Sequence, residues 1–111
     1  LPQLPTSALP DSVRPFAVAP SITVAGHASR RTTVVEVAAA DRPGLLARLA
    51  RVIHDQGLVV HSAHIATYGE RAVDVFYLTD AAGRKLPDAA ATELRAALLA
   101  AVRGPEPQQA V

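Results

Sequence analysis

Thr32-Thr33-Val34-Val35-Glu36-Val37-Ala38-Ala39 runs through Asp41-Arg42-Pro43-Gly44 into Leu45-Leu46-Ala47-Arg48-Leu49, and the change of period along this stretch decides the fold. In the first part the period is two. Thr33, Val35 and Val37 share one face of a strand, Val34 and Glu36 the other. Asp41 to Gly44 breaks the alternation, and from Leu45 the spacing becomes helical. Leu45, Leu46, Leu49, Val52 and Ile53 form one stripe while Arg48, Arg51 and Asp55 point away. Gly57 ends this helix as a C-terminal cap.

Upstream, Ser21 to Ala25 reads as a short strand and Gly26 to Arg30 as the turn that follows it. Downstream, Leu58 to Thr67 and Arg71 to Thr79 are rich in Val, Ile, Phe and Tyr, with Tyr68-Gly69-Glu70 as a hairpin signal between them. Asp80-Ala81-Ala82-Gly83 is a turn. Pro87 and Asp88 open a last helix in which Ala91, Leu94, Leu98, Ala101 and Val102 share a face, closed by Gly104. The order is strand, strand, helix, strand, strand, helix. Amphipathic helices of this kind cover one face of a sheet, so the expected class is α+β, a two-layer sandwich. A ferredoxin-like domain normally runs βαββαβ. Here the first strand is expected to take the edge of the missing last one, giving a permuted ββαββα order with one antiparallel four-stranded sheet and two helices.

Composition narrows what such a domain does. The chain has 111 residues, enough for one domain, and half are hydrophobic. Aromatics make up only 4%, so the core rests on Leu, Val and Ile, each worth about 1.5–3 kcal/mol when fully buried. A net charge of +1 argues against nucleic acid and anionic membranes as partners. The absence of cysteine removes disulfides and thiolate chemistry and fits a cytoplasmic setting. No apolar run approaches the roughly 20 residues of a bilayer span. Five of the nine prolines fall at positions 2, 5, 10, 15 and 20. Residues 1–20 therefore read as a proline-rich inter-domain linker, with Phe16 and Val18 able to anchor its end. Residues 21–104 read as the folded domain and 105–111 as a frayed tail. The chain contains no methionine, and is expected to be a fragment of something longer.

The chemistry is concentrated in Asp41-Arg42-Pro43-Gly44-Leu45-Leu46. Glycine and proline fix a tight turn there. The first N–H groups of the helix have no internal partner, and the helix dipole adds partial positive charge, which suits a ligand carboxylate. Asp41 beside them suits a ligand ammonium. The same turn also reads as a plain helix cap with Arg42 as a solvated charge, and the local sequence leaves both open. His61 and His64 are three apart on a strand, so they are expected on opposite faces, unable to share a metal ion. No Ser–His–Asp set or Walker-type loop is present, and no catalytic or metal site is assigned. An RNA-binding sheet would need exposed aromatics among basic residues; Phe76 and Tyr77 are adjacent, so only one can face outward. Asp74, polar within the apolar run Ala72-Val73-Asp74-Val75-Phe76, is expected to be hydrogen-bonded or to face a partner domain.

Val35-Glu36-Val37 followed by Asp41-Arg42-Pro43-Gly44-Leu45-Leu46 resembles the opening of an ACT domain. More narrowly, Ser62-Ala63-His64-Ile65-Ala66-Thr67-Tyr68-Gly69-Glu70-Arg71-Ala72-Val73-Asp74-Val75-Phe76-Tyr77 is similar to the second, C-terminal ACT domain of the bifunctional enzymes that attach UMP to the PII signalling protein and remove it. The resemblance implies a non-catalytic regulatory domain, needing no cofactor, that senses glutamine in nitrogen regulation and pairs with another ACT domain. It implies ligand-binding residues at Asp41, Arg42, Pro43, Gly44, Leu45 and Leu46, faced by Ser62, His64 and Ile65. A ligand-free dimerisation or interdomain-contact module of the same fold is the alternative.

Overall fold

A computed structural model describes residues 19–27 and 29–103. The readings of residues 1–18 and 105–111 as linker and tail, and of Gly104 as a helix stop, lie outside the described residues. Within them the order is β1 (Ser21–Ala25), β2 (Thr33–Ala40), α1 (Leu45–Asp55), β3 (Val59–Tyr68), β4 (Arg71–Thr79) and α2 (Asp88–Val102). The strands form one antiparallel sheet in the order β1-β2-β4-β3. β1 takes the edge beside β2, so the permuted ferredoxin-like arrangement expected from the sequence is the observed one.

Both helices lie on one face of the sheet, and the alternation of each inner strand sets that face. Thr33, Val35, Val37 and Ala39 of β2 pair with Leu78, Phe76, Asp74 and Ala72 of β4, and all eight are buried. They meet Leu45, Leu49 and Ile53 of α1 and Leu94, Leu98 and Val102 of α2 in one hydrophobic core. A guanidinium N–H of Arg95 on α2 donates to the carbonyl of Ile22 at 3.1 Å, tying the last helix to the first strand. Leu46 departs from the expected stripe. It is 44% exposed, because three buried positions per three turns already fill the contact with the sheet.

β3 differs from the other strands. Nearly every residue along it is exposed, including Val59, Val60, Ile65 and Tyr68, since it has a neighbour on one side only and little helix above it. A bulge between Val60 and Ser62 adds one residue to this strand. It overturns the parity argument about the histidines. His61 Nε2 lies 2.8 Å from Thr79 Oγ1, and the His64 ring packs edge-on against Tyr77 at 5.7 Å. Tyr77 and Thr79 are two apart on β4 and share a face, so the histidines do too. Among the described residues no group of three or more His, Asp or Glu is placed to hold a metal ion. No helix among them is long and apolar enough to cross a membrane.

Candidate functional site

The turn between β2 and α1 is built around Gly44, which precedes the helix with φ 78° and ψ 2°. That left-handed conformation is open to glycine and strained for other residues. Space is not the constraint, because a Cβ placed on Gly44 would come no closer than 3.9 Å to the Arg48 guanidinium. The turn lets the Leu45 amide donate back to the Arg42 carbonyl at 3.1 Å, and the helical ladder begins with the Arg48 amide on the Gly44 carbonyl at 3.0 Å. Between these two, no described group accepts from the amides of Leu46 and Ala47. The helix has no side-chain cap and no acidic residue in its first turn. Its positive end therefore keeps two free donors.

Leu46 and Ala47 line a cleft of about 170 Å³. Asp41, Arg42, Gly44, Leu45, Leu46 and Ala47 form one wall, and Ile65, Thr67, Ala72 and Asp74 the other, contributed by β3 and β4. The loop is pinned to the far hairpin, because the Asp41 amide donates to the Glu70 carbonyl at 2.8 Å.

Arg42 has a second engagement, neither a ligand contact nor a solvated charge. Its guanidinium donates to the carbonyl of Val102 in the last turn of α2, where a cation also meets the negative end of that helix. This contact spans 60 residues of sequence, and no local pattern announces it.

Asp74, expected to be hydrogen-bonded or to face a partner domain, lies instead on the helix-covered face of the sheet, opposite Val37. It is 2% exposed, lies directly across from Ile65 in the hairpin, and no described group hydrogen-bonds to its Oδ1. Burial raises its pKa above the ordinary carboxylate value, and the negative charge of Asp41 raises it further. Arg48 Nε, on a half-buried side chain that was expected to point away, is the other buried side-chain atom without a described partner, whereas the buried threonines are satisfied. Thr33 Oγ1 accepts from the Leu86 amide at 2.9 Å, and Thr79 donates to the Asp80 carbonyl. A signal for Asp74 existed in the sequence. Counting outward from the Gly69-Glu70 turn places Ile65 opposite Asp74, and Ile65 was itself a candidate.

The nine candidates divide. Asp41, Arg42, Gly44, Leu45, Leu46 and Ile65 line the cleft, while Pro43 shapes the turn without lining it. Ser62 and His64 lie on the other face of the sheet, across from Tyr77 and Val75. Thr67, Ala47 and Ala72, none of them singled out beforehand, line the cleft as well. The assembled site brings together backbone N–H groups and the exposed carboxylate of Asp41 at the head of α1, with the buried carboxylate of Asp74 on the opposite wall. Such a site can seat a small molecule carrying both an acidic and a nitrogenous group.

Comparison with known proteins places the chain in a family. The profile of the ACR family N-terminal ACT domain matches residues 28–100. A bifunctional uridylyltransferase/uridylyl-removing enzyme of Phenylobacterium zucineum is 54% identical over 96 residues, covering 86% of this chain and 10% of the relative. Its namesake in Novosphingobium aromaticivorans is 59% identical over 71 residues, 64% of this chain and 8% of the relative. That of Caulobacter vibrioides is 50% identical over 88 residues, 78% and 9% respectively. The chain thus spans about a tenth of the length of the curated relatives it matches.

Proposed function

The chain belongs to the ACT-domain family, and from that premise we propose that it is a non-catalytic regulatory domain that takes up an amino acid, glutamine first among candidates, at the head of α1. The observation that carries this reading is that Leu46 and Ala47, whose amides have no described acceptor, line a cleft that also holds Asp41 and Asp74. A zwitterion meets both demands at once. Its carboxylate lies on the helix end, and its ammonium lies beside Asp41.

The relatives are named for attaching and removing uridylyl groups. Carried to this chain, the domain is the second ACT module of such an enzyme, acting in the cytoplasm on nitrogen status through the PII protein. Its effect is exerted through differential affinity for two arrangements of the parent. A second ACT domain is the expected neighbour, seated along β3. That edge strand runs ten residues with no proline, lysine or carboxylate, so beyond the bulge at its start nothing in it discourages pairing. A neighbour there would roof the cleft, because Ile65 and Thr67 of the same strand line it.

The exposed β3 edge also favours the alternative of a pairing module that binds no effector. Calorimetric titration with glutamine and other amino acids, alongside sedimentation analysis, separates the two. The sensing role predicts heat with glutamine and a paired domain. Pairing without heat from any amino acid would leave the scaffold role in its place.

A further inference from the structure

The cleft contains a group that its general description does not need. A zwitterion is satisfied by the α1 amides and Asp41, which are neighbours at the mouth of the helix, as the carboxylate and ammonium of an amino acid are neighbours on one carbon. Asp74 stands across from them on the sheet, on the wall formed by β3 and β4. Its Oδ1 is buried without a partner. A buried carboxylate in this state destabilises the fold, and substitution by an apolar residue would remove the penalty. Asp74 nevertheless lines the cleft, so a ligand that settles there brings a donor to this carboxylate.

We propose that Asp74 is the specificity-determining residue of this cleft, accepting a hydrogen bond from a side-chain nitrogen of the bound amino acid. The cleft then takes effectors whose side chain ends in a neutral N–H donor and refuses those ending in a carboxylate. This rests on the reading of the cleft as an effector site and adds the group that chooses among effectors. The refusal has two sources. A ligand carboxylate would leave Asp74 unpartnered, and it would bring a third negative charge beside Asp41 and Asp74. Sites built to bond a donor reject analogues that lack it far more strongly than apolar pockets reject a change of size. Ile65 and Ala72, the apolar members of the same wall, supply contact area and no such choice.

The test is calorimetric titration of the full chain with glutamine and with glutamate, for the wild type and for Asp74→Asn. The wild type is expected to prefer glutamine by about 100-fold or more. Asp74→Asn, which presents an amide able to donate to a carboxylate, should weaken glutamine and bind glutamate more tightly than the wild type does, bringing the two within about tenfold. Asp74→Ser, smaller and uncharged, relaxes the same ratio and serves if the asparagine variant melts early. An unchanged ratio in both variants overturns the proposal. Equal weakening toward both ligands also overturns it, and would make Asp74 a partner of the ammonium. If the wild type binds neither amino acid, the effector reading itself fails and this inference fails with it.

Discussion

The two helices of this domain begin in different ways. Neither has a side-chain cap, yet α2 starts behind Pro87 in an extended conformation and carries Asp88 in its first turn, whereas α1 starts behind a left-handed Gly44 with no acid in its first turn. At α2 the positive end of the helix is met by the chain itself. At α1 no acid lies in the first turn; Asp41 stays in the preceding turn and Asp74 stands on the opposite wall of the cleft. The other end of α1 makes the contrast sharper. There the Gly57 amide donates to the His54 carbonyl at 2.9 Å and the Leu58 amide to Ile53 at 3.2 Å, with Gly57 at φ 76°, a Schellman closure that satisfies both carbonyls. One helix thus has a finished end and an unfinished one. The lesson is that incompleteness is local and specific here, confined to the end that faces the cleft.

That contrast can be broken most strongly at Gly44. Gly44→Ala keeps the space but not the backbone freedom, so it should cost about 1–2 kcal/mol in thermal or urea unfolding. It should also abolish amino-acid binding by moving the Leu46 and Ala47 amides. A mild stability loss with normal binding would mean that the turn does not aim those amides. The opposite wall gives the next effect. Asp74→Asn should stabilise the domain at neutral pH by about 0.5–2 kcal/mol. The sign follows from the raised pKa of Asp74. The folded state holds the proton more tightly than the unfolded state, so the wild type loses stability as pH rises from the ordinary carboxylate value of 3.8 through the raised one. Melts compared across pH should therefore show the variant's advantage shrinking toward acid. An advantage that persists at the acid end would show that charge is not its source.

The smallest effect sharpens the comparison by making the helices alike. Ala47→Asp places an acid in the first turn of α1, as Asp88 does in α2. It should add about 0.3–1 kcal/mol at low salt, and at the same time weaken effector binding at least about tenfold, a change of about 1.4 kcal/mol. The reverse change, Asp88→Ala, should lose a similar increment and leave binding alone. A variant at position 47 that gains stability and still binds normally would place the ligand elsewhere.

The fold could be read in the sequence because its elements declare themselves by period. The alternation of Val35 and Val37, the helical spacing of Leu45, Leu49 and Ile53, and the Gly69 turn each survive unchanged in the structure. The order of elements then leaves few ways to cover one sheet. Of the residues that line the cleft, the sequence pointed to Asp41, Arg42, Gly44, Leu45 and Leu46, nearly contiguous in the chain, and to Ile65 on β3. Asp74 escaped because both faces of β4 carry apolar residues, and only the pairing with β2 shows which face meets the helices. Ser62 and His64 were set against the turn as ligand residues, yet they lie on the face away from the helices. The bulge beside His61 leaves no mark in composition, and it alone reverses the parity on which the histidines were judged. Contacts formed by chain closure, such as Arg42 with Val102, are written in no local pattern.

The 2.8 Å bond from the Asp41 amide to the Glu70 carbonyl has a mechanical consequence. It rivets the loop at the head of α1 to the tip of the β3–β4 hairpin, which projects at the exposed side of the sheet. A displacement at either end of this bond loads the other. Any tilt that a tightening loop undergoes is delivered to that tip, and a neighbour leaning on the tip tugs the loop in return.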